Sequence, residues 1–130
     1  GNPVDVVGIT VHGRGLIFSS LWALMEDENV DAVLLQLPVV FSADRISATL
    51  SFSTEEARAF KEIQKESLSM IRQRVDEYRK PVFVTALARD EEASTFLRAK
   101  GIPVYHNPRR AARVLHHLVW YRHYLDTANR

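Results

Sequence analysis

The apolar positions of this chain change period in a regular way. Val4, Val6 and Val7 form a short β-branched run that ends at Gly8. Ala32-Val33-Leu34-Leu35-Gln36-Leu37 is a nearly continuous apolar run stopped by Pro38, Pro81-Val82-Phe83-Val84-Thr85 is a third, and Ile102-Pro103-Val104-Tyr105 is a short fourth. Continuous rather than alternating runs suit strands covered on both faces, which is how parallel sheets read. Between them the spacing becomes helical. Leu16, Ile17, Leu21, Leu24 and Met25 precede the polar turn Glu26-Asp27-Glu28-Asn29, and Phe60, Ile63, Ser67, Ile71, Val75 and Tyr78 step by three or four along a long amphipathic helix.

Start and stop signals fit those helices. Ser53-Thr54-Glu55-Glu56 reads as a capping box, with Ser53 as cap and Glu56 reaching back. Asp90 caps a helix whose first turn carries Glu91 and Glu92, favourable to the helix dipole, and Gly101 stands at its C-terminal stop. A last helix begins near Pro108, a good first-turn residue, and runs to about Leu125. Strand then helix, four times over, predicts an α/β fold. The expected form is a three-layer α/β/α sandwich, flavodoxin-like, with a mainly parallel sheet of four or five strands and right-handed crossovers. Residues 1–130 read as a single domain. The segment from Val39 to Thr54 is long for a connection at a strand's C-terminal end. Ile46, Leu50 and Phe52 imply that it packs against something, as a lid or an interdomain contact would.

Composition narrows the classes. The chain is 130 residues long, 46% hydrophobic and 25% charged, and that balance excludes wholesale disorder. Lys and Arg total 17 against 16 for Asp and Glu, which argues against a dedicated nucleic-acid or membrane-surface protein. The chain has no cysteine, so disulfides, thiolate metal sites and cysteine nucleophiles are excluded. No run is long enough to cross a bilayer, nothing resembles a signal peptide, and the chain begins at Gly1 rather than Met. A cytoplasmic domain excised from a larger multidomain protein is the expectation. Charge is unevenly spread. Residues 1–60 hold eight acids against three bases, whereas from Arg98 onward seven bases meet the single acid Asp126.

Three chemistries common to this architecture fail at the strand ends. Gly8, Gly13 and Gly15 do not keep dinucleotide-binding spacing, Gly15 is followed by Leu16 rather than by Lys and Ser/Thr, and the second strand ends in Leu37-Pro38-Val39-Val40 rather than in clustered carboxylates. The glycine tract could still present amides to an anion, with His12 and Arg14 beside it, or be a permissive turn that binds nothing. His12, His106, His116, His117 and His123 show no metal-ligand spacing, so no metal is expected. Arg109, Arg113, His116, Trp120 and His123 fall near one stripe of the last helix. A solvated or packing face explains them as simply as contact with RNA or an acidic partner does.

Several phrases together resemble one family. Asn2-Pro3-Val4-Asp5, Asn29-Val30-Asp31-Ala32-Val33-Leu34-Leu35, Lys80-Pro81-Val82-Phe83-Val84 and, above all, Gly101-Ile102-Pro103-Val104-Tyr105 are among them. The last is followed by Pro108-Arg109-Arg110-Ala111 and Trp120-Tyr121-Arg122. In order and spacing they are similar to the C-terminal flavodoxin-like domain of nucleoside-diphosphate-forming acyl-CoA synthetases, the superfamily of succinyl-CoA synthetase and ADP-forming acetyl-CoA synthetase. The resemblance implies an acid–thiol ligase whose intact form uses CoA, ATP/ADP and Mg, with no cofactor bound by this domain alone. It implies as partners the other domains or subunits of the same synthetase, notably CoA-binding and ATP-grasp modules. A homo-oligomer is compatible with it; nucleic acid and membrane are not expected.

The implied role is one wall of the acyl and phosphate site. By position the resemblance points to Gly8 and Thr10 in the first turn and to Pro38, Val39, Val40, Phe41 and Ser42 after the second strand. It assigns no catalytic residue, since the phosphohistidine belongs to another domain. Where succinyl-CoA synthetase has a glycine pair, this chain has Pro38-Val39-Val40-Phe41. Side chains there hinder close backbone approach to an anion and imply a more apolar acyl pocket. The domain alone is expected to be inactive. The competing expectations are a synthetase-like regulatory or CoA/metabolite-sensing domain of a protein acyltransferase, and a stand-alone binding module using the basic last helix.

Overall fold

A computed structural model describes residue 4 and residues 14–37, 39–86 and 89–128. The elements run α1 (Arg14–Glu26), β1 (Val33–Leu37), α2 (Ala43–Leu50), α3 (Thr54–Tyr78), β2 (Val82–Ala86), α4 (Glu91–Ala99), β3 (Val104–Tyr105) and α5 (Pro108–Ala128). The fold is α/β, with one parallel sheet in the order β1-β2-β3. Val33 pairs with Val82 and Leu37 with Ala86, while Val84 and Thr85 pair with Val104 and Tyr105.

The register sorts the side chains by face. Val33, Leu35 and Leu37 lie beside Val82 and Val84. They form one core with Leu21 and Met25 of α1, Leu68 and Ile71 of α3, and Ala93 and Leu97 of α4. Strand order and chain order agree, so the crossovers through α3 and α4 take the same direction and the same hand. Both helices therefore land on one face. On the opposite face Phe83 stacks on Tyr105, and α5 packs over β2 and β3 with Ala111 fully buried. Helices lie on both faces of the described sheet. Leu34, on the α5 side of β1, stays 40% exposed.

The helix signals work locally as read. Ser53 Oγ accepts from Glu56 N, and Glu56 Oε2 accepts from Ser53 N, closing the capping box of α3. At the end of α4, Gly101 N donates to Arg98 O and Ile102 N to Leu97 O, with Gly101 at φ +71°. This is a Schellman turn, and Ile102 and Leu97 pack together in the core, as that motif favours.

Three expectations need correction. The sheet has three strands among the described residues rather than four or five. Val4 is described as exposed chain outside any strand, and Val6 and Val7 lie outside the described residues. The fourth predicted strand shrinks to Val104–Tyr105, because Ile102 is used in the Schellman turn and Pro103 has no N–H to donate. Pro103 O instead accepts from Val84 N at 2.9 Å. The long connection from Val39 to Thr54 contains a helix, α2. It is capped by Ser42, seats Ile46 in the interior, ends at Ser51 in the left-handed region and packs along α3. Eight residues with one buried apolar position are too short to show a helical period in the sequence.

Candidate functional site

In an open parallel sheet ligands bind beyond the carboxyl ends of the strands. At that end, the chain leaves β1 through Val39, Val40, Phe41 and Ser42 and leaves β2 towards Asp90. Val39 and Phe41 are buried, and Val40 and Ser42 are half-buried. The Phe41 ring is sealed by an edge contact with Phe96 of α4, centroids 5.4 Å apart, and by Lys61 and Lys65 of α3, each 5.8 Å from its centroid. Lys61 in turn pairs with Glu92 at 2.6 Å.

Asp90 holds this end together. One carboxylate oxygen accepts from Ala93 N at 2.9 Å and caps α4; the other accepts from Phe41 N at 2.9 Å and Ser42 N at 3.1 Å, just where α2 begins. Arg45 Nη1 adds a bond to Arg89 O at 2.9 Å. A single side chain, 7% exposed, therefore ties the turn after β1 to the turn after β2. Burial pushes its pKa up, but the amide bonds from Ala93, Phe41 and Ser42 and the nearby Arg45 charge outweigh this. The net pKa lies below the ordinary carboxylate value.

The arrangement is an anion site whose anion belongs to the chain. Two successive backbone N–H groups at a helix start are the donors a phosphate or carboxylate would take. Here they already hold an internal carboxylate. Of the residues expected to line an acyl or phosphate site, Val39, Val40, Phe41 and Ser42 are consecutive in the turn after β1, with Val39 and Phe41 buried and Val40 and Ser42 half-buried. Gly8, Thr10 and Pro38 lie outside the described residues, as does His12. The capping role of Asp90 is legible in the sequence. Its reach across 49 positions to Phe41 is not, because a cap residue looks the same whether one or both of its oxygens are used.

Elsewhere, among the described residues no group of three or more His, Asp or Glu side chains could hold a metal ion, and no helix is long and apolar enough to cross a membrane. His106 is exposed just past β3, and His116, His117 and His123 are exposed on α5. A recess of about 340 Å³ lies at the opposite, amino end of the strands, between Asp31, Ala32 and Pro81 on one side and Leu115, Leu118 and Val119 on the other. Comparison with family models, with curated proteins and with solved structures gives no match to this chain.

Proposed function

We propose that this chain is a flavodoxin-like wall domain of an acyl-CoA synthetase-type assembly, inactive alone, which lends an apolar surface to an acyl site whose reacting groups sit in CoA-binding and ATP-grasp partners. The observation that carries the reading is the strand-end turn itself. Its apolar residues Val39 and Phe41 are packed into the interior, and the Phe41 and Ser42 amides are bonded to Asp90. Such a turn has no free amides at these positions for a phosphoryl group, and of its apolar residues half-buried Val40 is the one left to face an acyl chain. Two tests follow. Purified chain supplied with a carboxylic acid, CoA and ATP forms no acyl-CoA; turnover would end the reading. Mixed with purified CoA-binding and ATP-grasp modules of the nucleoside-diphosphate-forming type, it co-elutes with at least one. Failure to associate with either would remove the assembly part of the proposal.

The filled amides favour one variant of this reading, the synthetase-like regulatory domain of a protein acyltransferase, because that role needs no phosphoryl contact. Amide NMR during a titration with inorganic phosphate tests the filled amides on which both variants rest. Unmoved Phe41 and Ser42 resonances are expected, and saturable shifts at both would show that Asp90 yields them to an anion and would return a phosphoryl contact to this turn.

A further inference from the structure

α5 buries Ala111 and half-buries Val114, Leu115 and Leu125 against the rest of the fold, which fixes its outward side. That side carries Arg109, Arg113, His116, Trp120 and Tyr124, in steps of four, three, four and four, all exposed. This is the spacing of a helix–helix seam. Trp120 is 62% and Tyr124 54% exposed, and their rings stack on one another at 6.0 Å and 14°. Among the described residues Arg109 and Arg113 form no ion pair, whereas Arg122, off the seam, pairs with Asp126. The stripe is therefore cationic at its start and aromatic at its end.

We infer that this stripe is a self-complementary docking surface, and that its occupant is the same stripe of a second copy of the chain, running antiparallel. A two-fold axis between His116 and His117 puts residue 113 of one helix against residue 120 of the other, and residue 109 against residue 124. Arg113 then lies over the Trp120 ring of the second copy and Arg109 over its Tyr124 ring, with each pair formed twice. Guanidinium on an aromatic face is favourable, and most so on Trp. Parallel pairing is disfavoured, since it sets Arg109 and Arg113 against their own counterparts. A different partner would have to bring acids to one half of the stripe and apolar rings to the other. The second copy supplies both complements, and the resulting contact is isologous, as closed dimers require. A seam of about four turns is at the small end of stable interfaces, so the dimer is weak and concentration-dependent. This inference does not depend on the acyl-CoA synthetase reading.

Sedimentation equilibrium of the whole chain tests it. The expected result is a reversible monomer–dimer equilibrium, weakened about tenfold or more by Arg113→Glu or Trp120→Ala. Both positions are exposed, so circular dichroism should show the fold of each variant intact. The exchanged double variant, Arg113→Trp with Trp120→Arg, keeps the same cross-axis pair and should restore dimerisation. The chain has no cysteine, so a short bis-maleimide can report direction. Arg109→Cys and Tyr124→Cys chains should cross-link when mixed, and neither alone. A chain that stays monomeric at every soluble concentration overturns the proposal. So does cross-linking of either variant with itself, or a double variant no better than the single ones. Salt-dependent binding of a labelled single-stranded RNA to a monomeric chain, lost on Arg109→Glu and Arg113→Glu, overturns it in favour of a nucleic-acid face.

Discussion

The carboxyl end of the sheet and the outer side of α5 are built from similar side chains in opposite states. Both combine aromatic rings with cations. At the sheet end Phe41 is wholly buried, Lys61 and Lys65 lie over its ring, and the backbone donors beside it are bonded to Asp90. On α5 the rings of Trp120 and Tyr124 are stacked but open to solvent, and Arg109 and Arg113 form no ion pair among the described residues. Position in an α/β sheet makes the first region the customary ligand site. The second holds the unsatisfied chemistry. Architecture alone would direct attention to the first and pass over the second.

Substitution of Phe41 by Ala is the harshest test of that contrast. It removes a ring with no exposed surface and leaves a cavity between α3 and α4, at a cost of about 3–5 kcal/mol. Urea unfolding measures the loss. A cost below about 1 kcal/mol would mean that the turn after β1 is not part of the core.

Asp90→Ala should come next, at roughly 2–4 kcal/mol. It uncaps α4 and orphans the Phe41 and Ser42 amides together. Asp90→Asn should cost less, since one oxygen can still cap α4 but cannot serve both turns. The sign of the pH effect follows from the lowered pKa. The carboxylate holds its proton less tightly folded than unfolded, so its stabilisation is complete above the unfolded value near about 4 and is lost as pH falls through the lower folded one. The stability gap between the native chain and Asp90→Asn is therefore flat above about pH 5 and closes below about pH 4. A gap that widens on acidification would contradict the assigned bonds.

Local signals in the sequence were sufficient for what lies within one turn of chain. The capping box at Ser53 and Glu56, the cap at Asp90 and the stop at Gly101 all sit where residue type predicts. The three described strands match the three later apolar runs, with β2 reaching one residue further, to Ala86. What the sequence did not carry was pairing across distance and short buried structure. α2 shows one inward position, Ile46, in eight residues, and the second oxygen of Asp90 reaches a turn 49 positions away. Spacing showed Arg109, Arg113, His116 and Trp120 of the α5 stripe, ending it at His123 rather than Tyr124; which side of the helix meets the sheet was not legible, so the stripe's exposure could not be read from spacing.

Gly101→Ala and Arg79→Gly form a smaller pair with opposite signs. Gly101 sits at φ +71° and Arg79 at φ +59°, each closing a helix in the left-handed region. A side chain there costs about 1 kcal/mol. A Cβ on Gly101 would meet only Arg72 Nη1 at 3.5 Å, ordinary contact, so the loss is conformational. Arg79→Gly should gain about 0.5–1 kcal/mol for the same reason. Thermal melts would show a shift of a few degrees down and up, respectively. Equal signs would show that something other than backbone conformation governs one of the two caps.

Trp120→Ala completes the comparison begun with Phe41→Ala. It removes a larger aromatic side chain, and bulk alone would predict a larger cost. Its ring is 62% exposed and its stacking partner Tyr124 is on the same helix, so little protein surface is lost. Ala also has the higher helix propensity, which offsets part of what is lost. In dilute monomer the net change should stay within about 0.5 kcal/mol by urea unfolding. A second copy that binds only the folded chain adds stability as its concentration rises. The penalty of Trp120→Ala should therefore grow with protein concentration, whereas that of Phe41→Ala, an intramolecular cavity, should be unchanged. A penalty at Trp120 that is large at every concentration would place its ring in the monomer's own packing and make the two regions alike.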